Sequence, residues 1–395
     1  MVIKFSTLKS RLKHSDEFDK ETASFISAVE NELKSKLNLT KLEDYDCDLK
    51  LIFVQTGGSE GLFLQAFDKL QEPYYLLTNG SNNSLAASLE ILTYLRQRGK
   101  RGEILHGSAE YVAERIRRLA RISRVAKELK TTRLGVIGKP SDWLIASVPD
   151  YSDVKNRLGV TLVDIPIDEV ERRVKELHVA EINCDGYPRF DRNELKSACA
   201  ITQAIRQIVT DYRLDGLTIR CFDLLTSIKS TGCLALAELN RDGITATCEG
   251  DIAAMLSMHI MRLLTGQSMF QANPSRINVE DNSIVFAHCT IPLDMVSSYK
   301  FDTHFESGIG LAVKGEVRTG QATIFRLSAD LQHYYVTRGE IVGNLSESNL
   351  CRTQLVIKPD RPVTDILKEP CGNHHIIAYG DHVEAVTELL NEILG

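Results

Sequence analysis

Hydrophobic residues follow two different patterns along the chain, and the change between them lies near residue 270. Before it, short apolar runs alternate with segments in which apolar residues recur at helical spacing. The runs are LKLIFVQ (49–55), PYYLLT (73–78), TRLGVIG (132–138), GVTLVDIP (159–166), LTIRCF (217–222) and ITATC (244–248). Strands separated by helices are typical of parallel sheets with helices on their faces. The first two thirds of the chain are therefore predicted to be α/β.

After residue 270 the apolar runs are closely spaced, with little helix between them. They read NSIVFAHCTI, GLAVKGEV, QATIFRL, HYYVTRGEIV and TQLVIK. This spacing predicts an antiparallel sheet or small barrel, and DHVEAVTELLNEIL (381–394) predicts a terminal amphipathic helix. We expect an N-terminal α/β domain at 1–130, a central α/β domain at 131–270 and a β-rich C-terminal domain at 271–395.

Composition and charge exclude several classes of partner. The 395 residues carry a net charge of −6 with a pI near 6.0, which does not favour nucleic-acid binding. The amino terminus has no apolar stretch long enough for a signal peptide or a membrane span. The nine cysteines include no CxxC pair, as expected for reduced thiols in the cytosol. We expect a cytoplasmic protein without nucleic-acid or membrane partners.

The stretch TATCEGD (245–251) places two carboxylates between a predicted strand and the buried helix IAAMLSMHIMRLL, which should end at Gly266. Open α/β sheets usually bind ligands at the carboxyl ends of their strands. The helix amino terminus keeps Glu249 and Asp251 ionised, and ionised oxygens suit a hard divalent cation. Asp251 is also well placed simply to cap the helix. Glu249 is therefore the stronger functional candidate.

Several histidines and one acid form a second group of candidates. His288 ends the apolar run SIVFAH, where it is either a core histidine or a ligand. In the segment GNHH, His374 and His375 point to opposite faces if the chain is extended, so only one should enter a given pocket. In THFESG, His304 and Glu306 should share one face of a strand-like segment. They would form a second ligand pair, contact substrate, or belong to a solvated face.

Charged and glycine-rich positions near the other strand ends are less specific indicators of a functional site. Arg220 lies inside LTIRCF and needs an acceptor, for which Glu249 or a substrate oxygen would serve. The turns TGGSE and GVIGKPSD lack the spacing of phosphate-binding loops, so they are interpreted as strand-to-helix turns. Lys139 and Ser141 of the second turn are still placed to touch a substrate.

Taken in order, these pieces resemble the L-fucose and L-arabinose isomerase superfamily. The resemblance rests on Arg220–Cys221, the CEGD turn, the strand ending in His288 and the GNHH segment, and it is strongest from about residue 215 onward. GVIGKPSDWLIAS resembles the shorter, fucose isomerase-like members. The resemblance implies two Rossmann-like α/β domains followed by a β-rich domain. It also implies a divalent metal, usually Mn²⁺, aldose–ketose isomerisation of a sugar through an enediol, and homo-oligomers (trimers or hexamers).

The resemblance also assigns roles to individual residues. Glu249 matches the metal-binding and acid/base carboxylate, His288 resembles a histidine at a strand end, and His375 or His374 matches the last metal histidine. The expected metal ligands are Glu249, His288, His375 and Asn273, the expected catalytic residues are Glu249 and Asp251, and the expected substrate contacts are Arg220, His304, Glu306 and His374.

One segment departs from the family pattern. Between the helix and the His288 strand the family places a second catalytic carboxylate, but here the sequence reads FQANPSRI. Gln271, Ala272 and Asn273 cannot ionise; the amide oxygen of Asn273 could coordinate a metal but could not accept a proton. Two hypotheses follow: a metal-dependent sugar isomerase, or a repurposed relative that binds a sugar-like ligand without isomerising it. A thiol enzyme using Cys221, Cys248 or Cys289 is a more distant alternative.

Overall fold

The computed structural model describes residues 1–10, 16–177 and 182–394, which form two compact units, Met1–Arg124 and Val125–Gly395. The strands are β1 Ile3–Leu8, β2 Leu37–Leu39, β3 Leu49–Val54, β4 Tyr74–Leu77, β5 Gly102–Leu105, β6 Arg133–Ile137, β7 Thr161–Ile165, β8 Gly216–Ile219, β9 Thr245–Cys248, β10 Phe270–Asn278, β11 Ser283–His288, β12 Val296–Asp302, β13 Ala312–Val317, β14 Gly320–Leu327, β15 Tyr334–Asn344, β16 Thr353–Pro359 and β17 His375–Tyr379. The helices are α1 Asp16–Leu33, α2 Glu60–Ala66, α3 Ser84–Arg96, α4 Ala109–Leu129, α5 Tyr151–Asp153, α6 Ile167–Glu176, α7 Arg192–Tyr212, α8 Cys221–Ser227, α9 Cys233–Arg241, α10 Ile252–Thr265, α11 Thr364–Lys368 and α12 Val383–Leu394. Among the described residues, none of these helices combines the length and apolar character needed to cross a bilayer.

The first unit is built on a five-stranded parallel sheet with the order β2-β1-β3-β4-β5. Its central strand β3 is buried at all six positions. Leu51 and Phe53 belong to one core cluster and Ile52 and Val54 to another, so β3 is covered on both faces. Burial on both faces explains why this strand reads as a continuous apolar run without alternation.

The second unit contains a four-stranded parallel sheet with the order β7-β6-β8-β9. Helix α7 uses two faces: Ala200 and Ile201 pack in the core of this sheet, whereas Leu195 and Ala198 pack in the core of the β-rich part. Helix α9 is divided in the same way. The two helices therefore join the parallel sheet to the β-rich part through shared apolar packing.

The β-rich part is a closed antiparallel barrel in the order β10-β11-β16-β15-β14-β17, with a separate β12-β13 ribbon. Its core includes Phe270, Ala272, Ile284 and Phe286, which are fully buried. The predicted fold class is confirmed: parallel, Rossmann-like sheets precede an antiparallel barrel.

The structure differs locally from the predicted pattern: it adds strands β1, β2 and β5, which were not predicted, and it differs at two predicted segments. The strand predicted for LTIRCF ends at Ile219, and helix α8 begins at Cys221. The strand predicted for THFESG is wrong: after β12 the chain forms a turn, in which the Gly308 N–H donates to the His304 carbonyl. The division at 124/125 falls inside α4, near the boundary predicted after residue 130. The boundary after residue 270 stays a prediction, and it coincides with the start of the barrel at β10.

Candidate metal centre

Three buried side chains of the second unit converge from separate strand ends. Glu249 follows β9, His288 ends β11, and His374 precedes β17. Oε1 of Glu249 lies 3.3 Å from Nε2 of His374 and 3.6 Å from Nε2 of His288, and one ligand atom from each residue lies within 4.8 Å of the others. One carboxylate and two imidazoles form a donor set that several divalent first-row ions accept. We call Glu249, His288 and His374 the triad.

The backbone of the CEGD turn explains why Glu249 projects where it does. Glu249 and Gly250 both have positive φ, 65° and 70°, so the chain turns sharply between β9 and α10. A non-glycine residue in this region is strained, and such strain is found disproportionately at functional sites. Gly250 lies beneath a neighbouring loop: an added Cβ would lie 2.6 Å from the Lys139 carbonyl oxygen and 2.7 Å from Pro140 Cα.

Asp251 holds one residue of the triad, His374, in place through a hydrogen bond. It caps α10 by accepting the Ala254 N–H at 2.7 Å, which confirms its capping role. Its Oδ2 also accepts from His374 Nδ1 at 2.9 Å, and both of its oxygens accept from Nη1 of Arg326, at 3.1 and 3.0 Å. A carboxylate on the far nitrogen of a metal-binding histidine fixes the orientation of the ring. Asp251 thus has both oxygens occupied, which differs from its predicted role in proton transfer.

Opposing effects set the protonation of the triad. Burial disfavours the charged form of Glu249, but hydrogen bonds with His288 and His374 outweigh it and hold the pKa of Glu249 well below its usual range. Burial would also lower the pKa of His374, yet hydrogen bonds to Asp251 and Glu249 raise it to about 9. Burial lowers the pKa of His288, and the neighbouring His374 adds to this effect. Glu249 therefore stays ionised, and His374 must release its Nε2 proton before that nitrogen can bind a cation.

The structure places the two adjacent histidines, between which the last metal ligand was left open, in different surroundings. His374, expected to contact substrate, belongs to the triad, whereas His375, expected to be a metal ligand, lies outside it. The His375 ring packs near Phe286 and Tyr335, with centroid distances of 5.9 and 5.7 Å. Burial lowers the pKa of His375 to about 3, so it is a neutral barrel residue.

The FQANPSRI segment forms β10 and acts on Glu249 through the backbone. Gln271 Oε1 accepts the N–H of Cys248 at 2.7 Å, and its amide group donates to the Cys248 carbonyl at 3.4 Å. Gln271 thereby fixes the residue that precedes Glu249. Asn273 Oδ1 is buried and has no hydrogen-bond partner among the described residues, and Ala272 beside it pairs with His375. A buried amide oxygen without a partner is consistent with its predicted role as a ligand, which stays a prediction.

Arg220 does not reach Glu249, so that part of the prediction is wrong. Its guanidinium donates to both carboxylate oxygens of Asp142, at 3.1 and 2.9 Å, to Asp223 at 3.0 Å, and to the Pro140 carbonyl at 2.9 Å. It lines a cavity of about 730 Å³ at the carboxyl ends of β6, β7 and β8, and no triad residue lines that cavity. Arg220 instead fixes the loop that follows β6.

His304 and Glu306 lie close enough to the triad for its charges to act on them. His304 is buried; burial, with a smaller effect of His288, lowers its pKa to about 4. Glu306 is exposed, and partial desolvation and then the charge of Glu249 raise its pKa. The two residues occupy a turn, so they do not share a strand face as predicted. Their predicted role as substrate contacts stays open.

Sequence reasoning missed Trp143. Its indole N–H donates to Oε2 of Glu249 at 2.8 Å, and the backbone N–H of Ser141 donates to the Glu249 carbonyl at 3.0 Å. Both residues belong to GVIGKPSDWLIAS, in which the sequence singled out Lys139 and Ser141 as candidate substrate contacts but not Trp143. A tryptophan in a polar loop at the end of a strand was the available clue, because exposed aromatic residues at such positions often have a functional role.

Comparison with characterised proteins gives an independent observation. The chain is 26% identical over 295 residues to the sulfoquinovose isomerases of Priestia aryabhattai and Priestia megaterium, which covers 70% of this chain and 66% of each relative. It is 25% identical over 332 residues to the sulfoquinovose isomerase of Alkalicoccus urumqiensis, covering 78% of this chain and 74% of that protein. The chain thus spans just under two thirds of the length of the Priestia proteins. No protein-family model matches the sequence.

Proposed function

We propose that this chain is a divalent-metal-dependent isomerase that interconverts an aldose and a ketose through an enediol. The observation that carries the proposal is the buried triad of Glu249, His288 and His374, where the end of parallel strand β9 meets the ends of barrel strands β11 and β17. The similarity to sulfoquinovose isomerases supports the same reaction class and makes sulfoquinovose the first sugar to test. Mn²⁺ as the ion, a homo-oligomer and a cytoplasmic location stay expectations from the sequence.

The triad would hold the ion, with Asn273 as a further oxygen donor. A bound divalent ion polarises a sugar carbonyl and acidifies the neighbouring C–H. The chain's own contribution is to hold the ligands in place. Asp251 orients His374, and Gln271 fixes the backbone immediately before Glu249.

Glu249 is our candidate for the group that moves the proton between the two sugar carbons. It remains ionised because its pKa is held low, and it faces the two histidines. Asp251 is too fully engaged to exchange protons with a substrate, so we assign it a positioning role. Glu306 is the candidate for the missing second carboxylate, because its raised pKa brings it nearer to the pH of proton exchange. Such general acid–base steps contribute roughly 10²–10⁴-fold to rate.

One observation favours the second candidate function, a sugar-binding protein that does not isomerise. Asn273 and Gln271 occupy the segment where the resembling family has an ionisable carboxylate, and Gln271 is committed to the backbone of Cys248. If Glu306 does not replace that carboxylate, the site would bind a metal and a sugar without moving a proton.

The experiment that separates the two candidates measures metal content, sugar binding and proton exchange together. The protein is treated with a chelator and reloaded with Mn²⁺, then incubated in D₂O with sulfoquinovose, glucose, fucose and arabinose. We expect deuterium incorporation at C2 and ketose formation by NMR, both lost in Glu249→Gln and retained in the surface control Glu347→Gln. Sugar binding by the Mn²⁺-loaded protein without exchange at C2 would favour the non-isomerising candidate and reject the isomerase.

A further inference from the structure

Trp143 combines two properties that seldom occur together. It is the only tryptophan in the chain, and 51% of it is exposed. Nevertheless its N–H donates to Glu249, of which only 8% is exposed, while His374 of the same triad is fully buried. The indole therefore connects solvent to a buried polar cluster of the second unit.

The loop that carries Trp143, residues 139–148, is fixed on both sides of the ring. Before the ring, Ser141 N–H donates to the Glu249 carbonyl, and Arg220 donates to the Pro140 carbonyl. After it, Ser147 accepts Nη2 of Arg326 on its hydroxyl at 2.9 Å and the Ala253 N–H on its carbonyl at 3.3 Å. These contacts fix the direction of the indole N–H.

The hydrogen bond from Trp143 gives the two carboxylate oxygens of Glu249 different partners. Oε2 accepts from the indole, which can only donate, while Oε1 faces the Nε2 atoms of His374 and His288. Without the indole, the side chain of Glu249 could rotate and present either oxygen to the histidines. Supporting contacts of this kind hold metal ligands in orientation and typically change metal affinity 10- to 100-fold when removed.

The ring itself is only partly covered. Phe222 packs against it edge to face, with centroids 5.0 Å apart at 84°, and His304 packs in the same manner on Phe222 at 5.5 Å and 83°. The rest of the indole is open to solvent beside Glu249. Ligand sites combine apolar and aromatic walls with a few polar groups, and an aromatic ring offers an apolar face to the C–H groups of a sugar.

We propose that Trp143 is a positioning residue for Glu249 and that its open ring is the surface on which the C–H face of the sugar packs. The second half rests on the proposed function; the first half requires only that the triad binds a divalent ion. Trp143 would thus affect both metal affinity and sugar specificity through different parts of one side chain.

Two substitutions separate these roles. Trp143→Phe keeps an aromatic ring but removes the N–H, whereas Trp143→Gln keeps a donor but removes the ring. The matched control is Ile145→Ala in the same loop, because Ile145 is 92% exposed. We expect Trp143→Phe to weaken Mn²⁺ binding in calorimetry 10- to 100-fold with a sugar KM close to wild type. Trp143→Gln should raise KM at least 10-fold with less effect on Mn²⁺ affinity, and Ile145→Ala should change neither.

Trp143 also provides a readout that does not depend on turnover. As the only tryptophan, it reports directly on its own surroundings, so Mn²⁺ should change the intrinsic fluorescence of the wild-type protein but not of Glu249→Gln. Mn²⁺ affinity equal to wild type in Trp143→Phe would overturn the positioning role, and an unchanged KM in Trp143→Gln would overturn the packing role. Failure of every variant and the wild type to bind Mn²⁺ would reject the proposed function and the positioning role together. Mn²⁺ binding that depends on Trp143 without any turnover would reject the isomerase alone.

Discussion

Arg326 and Asp251 form an ion pair in which neither side chain is exposed to solvent. Nη1 of Arg326 lies within 3.1 Å of both carboxylate oxygens, and its Nη2 donates to Ser147. The guanidinium lies so close to Gly372 that an added Cβ would approach Nη2 to 2.7 Å. The pair connects barrel strand β14 to the start of α10, so it fixes the support of the triad to the barrel.

We predict that Asp251→Asn destabilises the second unit by about 3–5 kcal/mol, because it leaves a buried guanidinium without its charged partner. Asparagine is also a good helix cap, so the loss reports the contacts of the carboxylate with Arg326 and His374 and not the capping of α10. Urea unfolding followed by Trp143 fluorescence measures the change. The exposed pair Arg276–Glu347 is the control: Glu347→Gln should cost less than about 1 kcal/mol. Equal losses in the two variants would refute the prediction.

Neighbouring histidines give a second prediction, about the identity of the metal ligand. His374→Leu should abolish Mn²⁺ binding in calorimetry, since Nε2 of His374 faces Glu249. His375→Leu removes the same chemical group one residue later, where the ring packs inside the barrel. We expect this variant to bind Mn²⁺ within a few-fold of wild type, with circular dichroism to verify its fold. Binding that survives in His374→Leu and disappears in His375→Leu would restore the assignment made from the sequence.

Local pattern was sufficient to predict the fold class, but it did not predict strands β1, β2 and β5 of the first sheet or which side chains meet. The apolar run of β3 and the turn chemistry around Glu249 are local, and periodicity shows such features well. The choice between His374 and His375 depends on where the strand begins, because a shift of one residue exchanges the two faces. The roles of Arg326 and Trp143 depend on contacts across 75 and 106 residues of sequence, which no local pattern encodes.

Arg220 shows the same limit, because the sequence predicted that it needs an acceptor but not which residues would be its acceptors. A charge beside an apolar strand required an acceptor, and that expectation is met by Asp142 and Asp223. The sequence alone offered Glu249 or a substrate oxygen as the acceptor. The path of the loop after β6, which brings Asp142 into contact with Arg220, is seen only in the structure.

His259 leads to a prediction about stability in acid. It is buried in α10 between the hydroxyls of Thr245 and Thr132, at 3.0 and 3.3 Å, and burial lowers its pKa to about 4. In the unfolded chain His259 has a pKa near 6.5 and is therefore protonated between pH 6.5 and 4. In the folded chain it stays neutral over the same range. Stability should fall as the pH falls through this window, by roughly 3 kcal/mol in total, and His259 should have no such effect above it.

The test compares denaturant unfolding from pH 7 to pH 4 in the wild type and in His259→Gln. The variant loses stability at neutral pH but should show a flatter pH dependence, because glutamine at position 259 cannot be protonated in this window. His333→Gln is the control, since the His333 side chain is 73% exposed. Parallel pH profiles for the wild type and His259→Gln would contradict the prediction.

Gly250 leads to the last prediction, which concerns the contact between the CEGD turn and the Trp143 loop. Gly250→Ala and Gly266→Ala both place a side chain at φ near 70°, so each costs about 1–2 kcal/mol of backbone strain. Nothing lies within 4 Å of a Cβ at Gly266, whereas a Cβ at Gly250 would collide with Lys139 and Pro140. Gly250→Ala should therefore lose about 1–3 kcal/mol more in urea unfolding and displace the loop. Because the displaced loop carries Trp143 away from Glu249, only this variant should also shift tryptophan emission and weaken Mn²⁺ binding. Identical behaviour of the two variants would show that the loop is not held by this close contact.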